Sequence, residues 1–344
     1  MLGHGAAKLL PSFVDDVHRV AVIHADRFAE TARTMAAGID AEVSFIGLPD
    51  AEAAKTPRTL EHCWNELAAV GLTRSDAIVG LGGGATTDLS GFVAATWLRG
   101  VRYIAMPTTV LAMVDAAIGG KTGINLSAGK NLVGAFYEPY TVLGDLDLLD
   151  TLPPRELRSG FAEVLKCGFI ADPQILDGFD AHPHVCETAD EALARLMRRA
   201  AAVKARVVAD DLHERTSEGD DVGREALNYG HTLGHAIESV EGFSRRHGEA
   251  ISVGMVFAAE VAHRAGLIDE ALLRRHRAAL TAAGLPISYD APWSSLREAM
   301  SLDKKTRGRR MRLIVLDGLA SPVVLDDPDE TLLEDAYRAL GTEG

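Results

Sequence analysis

Three histidines carry the strongest chemical signal in this chain. His231 and His235 stand four apart in Leu227-Asn228-Tyr229-Gly230-His231-Thr232-Leu233-Gly234-His235-Ala236-Ile237-Glu238, and His247 follows in His247-Gly248-Glu249-Ala250. On a helix, residues four apart lean off one face a turn apart. That spacing lets two ring nitrogens reach one divalent cation, with His247 returning as a third ligand from the next element. The competing reading is a helix with ordinary histidines. Gly230 and Gly234 lower the helix preference of the segment, and bare backbone there suits something bound closely. The stretch predicts a metal or acid–base site and names no reaction.

Other chemical groups gather around that signal. Arg224 and Asn228 are four apart and Asn228 precedes His231 by three, so a continuous helix would carry Arg224, Asn228, His231 and His235 as one stripe. Glu163 and Lys166, three apart, share a helix face, where the bland alternative is a weak surface ion pair. Lys204 sits on a helix otherwise rich in Ala and Val. Lys121 and Lys130 lie among glycines in the stretch from Asp115 to Asn131, which reads as an anion-binding loop or, more plainly, a solvated one. Asp303-Lys304-Lys305-Thr306-Arg307 by itself reads as solvated surface. Gly82-Gly83-Gly84-Ala85-Thr86-Thr87-Asp88 ends a strand and opens a helix. Glycines there let backbone approach a pyrophosphate, and the helix start offers free N–H groups. The run is not Gly-x-Gly-x-x-Gly, so a tight strand-to-helix turn competes.

The elements that must position these groups follow from periodicity. Strands are expected at Val20–His24, Ala41–Leu48, Asp76–Leu81 and Val101–Ala105. Helices are expected at Ala25–Gly38, Thr59–Val70 and from the glycine run through Trp97. This alternation predicts a parallel sheet with helices on both faces and ligands at the carboxyl ends of the strands. Thr151-Leu152-Pro153-Pro154-Arg155 marks a domain boundary. Beyond it helices dominate: Glu156–Ile170, Ala189–Ala209, Ala226–Ser239, Glu249–Arg264 and Glu270–Ala283, then a strand at Met311–Leu316. The expectation is an α/β chain, with a Rossmann-like domain over 1–153 and a mainly helical domain over 154–344. The acidic connection from Asp210 to Gly223 has almost no apolar anchor and is expected to be a mobile surface loop.

Composition bounds the partners. A chain of 344 residues suggests two domains. The formal net charge of −14 argues against nucleic-acid or anionic-membrane partners. Three cysteines, Cys63, Cys167 and Cys186, share no Cys-x-x-Cys spacing, which fits a reducing compartment. No stretch reaches the ~18 apolar residues that span a bilayer. The first residues lack a signal-peptide profile. A soluble, cytoplasmic protein is expected.

With these pieces in order the chain resembles the 3-dehydroquinate synthases of the sugar-phosphate cyclase superfamily. The resemblance rests on Gly-Gly-Gly-x-x-x-Asp at 82–88, Met-Pro-Thr-Thr at 106–109 and the stretch from Asp115 to Asn131. It continues in Ala-Glu-Val-Leu-Lys at 162–166, Leu-Asn-Tyr-Gly-His-Thr-Leu-Gly-His at 227–235, His-Gly-Glu-Ala at 247–250 and Asp-Lys-Lys at 303–305. It implies a lyase of aromatic amino-acid biosynthesis. That enzyme converts 3-deoxy-D-arabino-heptulosonate 7-phosphate to 3-dehydroquinate and phosphate, by transient oxidation, elimination, reduction, ring opening and intramolecular aldol closure.

The resemblance also implies a zinc ion, with cobalt(II) as an alternative, on Glu163, His231 and His247. This corrects the spacing argument, because His235 then faces the substrate instead of the metal. Asp115, Lys121, Lys166, Lys204, Arg224, Asn228, His235, Lys304 and Lys305 are the implied substrate groups, for a carboxylated and phosphorylated sugar. NAD is implied along Glu52, Lys55, Gly83, Gly84, Asp88, Thr108, Thr109, Lys130, Asn131, Thr151, Leu152 and Glu156. The implied assembly is a homodimer.

The chain departs from the family pattern in three places. It enters near the turn after the usual first strand, as a trimmed or misassigned start would. It reads His24-Ala25-Asp26 where many relatives place an acidic residue for the adenosine ribose. Its connection between Lys204 and Arg224 is longer than expected. A sibling cyclase such as an aminodehydroquinate synthase, a metal-dependent polyol dehydrogenase, and a silent NAD-binding protein are the alternatives. The many phosphate-seeking cations speak against the dehydrogenase, and the intact Glu/His/His set against the silent protein.

Overall fold

The structure, a computed structural model, describes residues 1–186, 190–212, 222–307 and 311–341, without the side chains of 302–307. It divides into two compact units, Met1–Leu152 and Pro153–Gly344.

The first unit runs β1 (Leu2–Gly3), β2 (Arg19–Ala25), α1 (Ala29–Ala36), β3 (Glu42–Leu48), α2 (Pro57–Ala69), β4 (Ala77–Gly82), α3 (Gly84–Thr96), β5 (Arg102–Pro107), β6 (Lys121–Leu126), β7 (Gly129–Phe136), β8 (Thr141–Val142) and β9 (Gly144–Asp145). Five strands form one parallel sheet in the order β3-β2-β4-β5-β8. Alternate residues of each strand enter opposite cores, as the two-residue pleat period requires. Ala21, Ile23, Ile78, Tyr103 and Ala105 pack with α2 and α3 through Leu60, Cys63, Leu89 and Val93. Val20, Val22, Val79, Leu81, Ile104 and Met106 pack on the other face with Leu10, Val14, Phe28 and Ala32. Helical segments therefore cover both faces, as expected for a Rossmann-like sheet. The strand order reverses between β2 and β4, and such a switch point opens a crevice at the carboxyl ends. Gly82–Gly84 lies there.

From Lys121 on, the stretch expected to be a loop, Asp115 to Asn131, is instead part of a segment running to Phe136. It is an antiparallel hairpin of β6 and β7 with a register shift between Ile124 and Leu126. Gly123 and Gly134 permit this pairing, since a Cβ on Gly134 would stand 2.1 Å from the Thr122 carbonyl oxygen. The missing apolar period that suggested a loop reflects a ribbon with exposed residues: Leu132 is 52% and Phe136 42% exposed.

The second unit contains α4 (Pro154–Ile170), α5 (Pro173–Ala181), α6 (Glu191–Asp210), α7 (His231–Val240), α8 (His247–Arg264), α9 (Glu270–Ala282), α10 (Trp293–Arg307), an antiparallel pair β10 (Arg312–Leu316) and β11 (Pro322–Asp326), and α11 (Glu330–Ala339). Aspartates start four of these helices: Asp172, Asp190, Asp269 and Asp329 each accept a first-turn N–H. α8 is buried along nearly its whole length and touches α4, α7, α9, α11 and β10. A helix apolar all round belongs at the centre of a bundle.

The stripe drawn through Arg224, Asn228, His231 and His235 is broken. Gly223–Asn228 is a 3-10 helix, Tyr229 is extended at ψ 123°, and Gly230 turns left-handed at φ 80° before α7 begins at His231. Residues 213–221, most of the connection expected to be a mobile loop, lie outside the described residues. Among the described residues no helix is long and apolar enough to cross a membrane.

Candidate functional site

In the second unit, Glu163 on α4 meets the first residues of two other helices. Glu163 Oε1 stands 3.8 Å from His231 Nε2 and 3.6 Å from His247 Nε2. One ligand atom from each of Glu163, His231 and His247 lies within 4.8 Å of the others. Tetrahedral ligands at ~2.1 Å from a zinc ion are ~3.4 Å apart, so the separations fit one small divalent ion. Two imidazoles and a carboxylate also suit a borderline cation. His235 stands beside this trio, its ring centroid 5.1 Å from that of His231 and 6.2 Å from that of His247.

The outer contacts settle how the rings point. His231 Nδ1 lies 3.1 Å from the Tyr229 carbonyl, which takes that N–H and leaves Nε2 as the lone pair. Tyr229 is itself fixed: its buried hydroxyl is 2.9 Å from His276 Nε2, and the His276 ring stacks on Phe169 at 3.7 Å. His276 Nδ1–H donates to the Leu272 carbonyl at 2.8 Å, so its Nε2 accepts from Tyr229. Burial first, then the positive charge of Lys166 and the neighbouring imidazoles, holds His231 well below the ordinary histidine range and neutral, as a ligand must be. Burial also opposes charge on His247, but the hydrogen bonds its ring N–H groups donate to the Glu163 and Glu238 carboxylates outweigh it and push this ring up to about 10. A metal ion held by Glu163 would take the place of that Nε2 proton.

Glycines set the helix spacing. A Cβ on Gly254 would fall 1.8 Å from the Gly230 carbonyl oxygen, one on Gly230 2.9 Å from the Met255 nitrogen, and one on Gly234 3.2 Å from Ile251 Cα. The close neighbour of Gly230 and Gly234 is thus α8, not a bound group, which corrects the sequence expectation. On the other side of α8, a Cβ on Gly248 would fall 1.7 Å from the Ser159 carbonyl oxygen of α4. Backbone contact on both flanks is what brings His231 and His247 to Glu163.

Lys166 pairs with Glu163 Oε2 and donates to the Leu227 carbonyl at 2.7 Å while 1% exposed. Such a buried lysine is no surface ion pair. Arg224, also 1% exposed, donates to the Leu212 carbonyl at 2.6 Å. Lys204 is buried on α6, and Asn228 half-buried at the end of the 3-10 helix. The side chains of Lys304 and Lys305 lie outside the described residues. Glu156 receives Arg246 Nε at 2.7 Å. A cavity of about 320 Å³ at the far end of α8, lined by Glu260, His263, Arg264, Glu270, Arg274 and Arg277, is not this site. It begins ~20 Å along the helix from His247, and its charges pair with one another.

In the first unit, Lys55 is the centre. Its ammonium, in a side chain 2% exposed, donates to Asp88 Oδ2 at 2.6 Å and Asn131 Oδ1 at 2.5 Å. Asn125 Nδ2 donates to Glu52 Oε2 at 2.6 Å, and the Asn131 N–H donates to Asn125 Oδ1 at 2.9 Å. Glu52, Lys55, Asp88 and Asn131 are therefore one hydrogen-bonded cluster. Asn125, absent from the sequence-based set, joins them from the hairpin. Burial raises Asp88 to about 6 against the pull of Lys55, and Asp115 adds to the rise.

The glycine run caps α3, and a Cβ on Gly82 would collide with Thr86 at 2.5 Å. Gly83 and Gly84 stand beside Thr109 and Ala116, at 3.3 and 3.2 Å for a Cβ. Thr108 N–H donates to the Gly82 carbonyl at 2.9 Å, and Thr109 Oγ1 accepts from Ala112 at 3.1 Å. Lys121 is exposed and Lys130 half-buried on the hairpin, while Thr151 and Leu152 close the unit.

Two family models cover most of the chain. Residues 45–159 match the 3-dehydroquinate synthase N-terminal model and residues 160–306 the C-terminal model. The chain belongs to the 3-dehydroquinate synthase family. A 3-dehydroquinate synthase of Streptomyces coelicolor is 55% identical over 328 residues, covering 94% of this chain and 89% of the relative. Among solved structures, a 2-epi-5-epi-valiolone synthase from Streptomyces hygroscopicus with NAD+ and Zn2+ bound superposes with a TM-score of 0.87 at 27% identity, over 96% of this chain and 92% of that one. A 2-deoxy-scyllo-inosose synthase complexed with carbaglucose-6-phosphate, NAD+ and Co2+ gives 0.86 at 27%, over 98% and 95%.

Proposed function

We propose that this chain is a 3-dehydroquinate synthase. It takes 3-deoxy-D-arabino-heptulosonate 7-phosphate, eliminates phosphate and closes the carbocycle as a lyase. The observation that carries the reading is the convergence of Glu163, His231 and His247 at the separation of a single divalent ion, in a chain whose relatives at this level of identity are named for that activity. Zinc on that trio and NAD at the α3 start with the Lys55 cluster are part of the proposal. When bound, NAD supplies a reversible hydride acceptor and the metal supplies Lewis acidity at the substrate oxygens.

The chain's own residues do the rest. The substrate carries a carboxylate and a phosphate, so an acidic protein must place cations locally. Lys121, Lys166, Lys204, Arg224, Lys304 and Lys305 fill that role, each charge-assisted hydrogen bond contributing about 1.5–3 kcal/mol. Lys166 is pinned by Glu163 and the Leu227 carbonyl, which fixes its charge next to the metal trio. His235 stands close enough to the trio to move a proton at a substrate hydroxyl, and Asp115 and Asn228 orient hydroxyls. The protein acts in the cytoplasm as a homodimer, to which the exposed Leu132 and Phe136 offer an apolar surface.

The test follows from redox balance. Substrate and product stand at the same oxidation level at the reacting carbon, so NAD is not consumed. With NAD well below substrate, released phosphate should greatly exceed the NAD supplied while no reduced nicotinamide accumulates. Reduced nicotinamide rising in step with substrate loss would replace this reading with a dehydrogenase. A sibling cyclase would leave the heptulosonate phosphate unreacted.

A further inference from the structure

His247 opens α8 between two carboxylates from different helices. Its Nε2 faces Glu163 Oε1 of α4 at 3.6 Å, and its Nδ1 faces Glu238 Oε1 of α7 at 3.4 Å. Glu238 lies seven residues past His231, two helical turns along α7, so it shares the face that presents His231. Its side chain is 12% exposed. The other imidazole of the trio, His231, has a neutral backbone carbonyl behind its Nδ1.

We propose that Glu238 is the positioning residue of the metal centre: it accepts the His247 Nδ1–H, fixes that tautomer and aims the Nε2 lone pair at the ion. This rests on the assignment of Glu163, His231 and His247 as ligands. A carboxylate behind a metal-bound imidazole sets the ring's orientation and raises its basicity, and its loss costs about 10–100-fold in metal affinity. The separation of 3.4 Å is at the long end for a hydrogen bond.

Glu238 also belongs to a second group of potential ligand atoms, with His235 and His247, within 4.8 Å of one another. Holding a cation there would make one imidazole bridge two dications. Four positive charges, with Lys166 beside them, would then face the two carboxylates Glu163 and Glu238. The orienting role avoids that repulsion.

The experiment strips the protein of metal and titrates Zn2+ in competition with a chromophoric chelator. It compares wild type, Glu238→Gln, Glu238→Ala and His247→Ala, with metal-free melting curves and the visible absorption of the Co2+ forms. The expected result is one equivalent for wild type and an unchanged stoichiometry for both Glu238 variants. Affinity should fall about 10–100-fold in Glu238→Ala and less in Glu238→Gln, which keeps an acceptor but loses the charge. The cobalt spectrum should shift while metal-free melting stays put, which separates positioning from general destabilisation. Wild-type affinity in both Glu238 variants overturns the proposal and leaves the ligand trio standing. A second equivalent in wild type that vanishes in the Glu238 variants overturns it by making Glu238 a ligand. Wild-type affinity in His247→Ala overturns the ligand assignment itself, and the positioning role with it.

Discussion

Adding one methyl group at Gly248 should disable the metal centre without touching a ligand. A Cβ there would lie 1.7 Å from the Ser159 carbonyl oxygen, 2.6 Å from its carbon and 3.0 Å from Ser159 Cα. All three are backbone atoms of α4, so no side chain can swing away. Restoring an ordinary contact of ~3.4 Å pushes the start of α8 back by ~1.7 Å. His247 is the adjacent residue, and ligand positions tolerate displacements of only ~0.2 Å. Gly248→Ala should therefore weaken zinc binding at least as much as loss of an outer contact, by ~100-fold or more. Overpacking of this kind costs about 3 kcal/mol at the upper end of the usual range. For a unit the size of residues 153–344 that lowers Tm by ~6–12 °C. Gly266→Ala is the control, because Gly266 is left-handed at φ 75° yet has nothing within 4 Å of a Cβ. It should cost ~1 kcal/mol and leave zinc affinity alone. Chelator competition and melting curves on both variants decide the matter. If Gly248→Ala matches Gly266→Ala in zinc affinity and Tm, the backbone contact between α4 and α8 does not position the site.

Three further outcomes are expected. His247→Ala should lose both bound metal and turnover, whereas His235→Ala should keep the metal and lose turnover; equal metal loss in elemental analysis would refute the division of roles. His276 is lowered from the usual 6.5 to about 4 by burial, so the folded state resists its protonation while the unfolded state does not. Stability is therefore full above pH ~6.5 and falls by ~3 kcal/mol as pH drops towards 4; His276→Gln should flatten that part of the denaturation-versus-pH curve, and an unchanged slope would show that His276 titrates freely. Lys55→Ala strands Asp88 without its ammonium partner and should cost ~3–5 kcal/mol in urea unfolding, much of it restored by Lys55→Met with Asp88→Leu. Restoration should not extend to NAD affinity, which isothermal titration can follow.

Local chemistry by itself determined much of this protein. The unbroken apolar run Val20-Ala21-Val22-Ile23 already marks a short strand buried on both faces, because pleat geometry is local. The Gly82–Gly84 run after β4 likewise marks a strand-to-helix turn, since backbone freedom belongs to the residue. The ordered motifs were legible as a family. Helix spacing misled where it assumed continuity: nothing in Arg224, Asn228 and His231 reveals that the chain turns left-handed at Gly230. That turn is stabilised by Tyr229 reaching His276, 47 residues on. Gly230 and Gly234 read from the sequence as poor helix formers beside a bound group, yet the tertiary structure rests them against α8, just as Gly248 rests on α4.

Glu238 could have been noticed as a carboxylate two turns past His231 on one face. Its partner, however, is a ring nitrogen on another helix. The joining of Lys55 to Asp88 and Asn131 likewise spans 33 and 76 residues. Side chains that far apart in sequence meet only when packing brings their elements together. Composition and periodicity therefore determined which groups this chain has available and which elements carry them. Only the tertiary structure decided which nitrogen faces which carboxylate, because that depends on how closely two backbones approach.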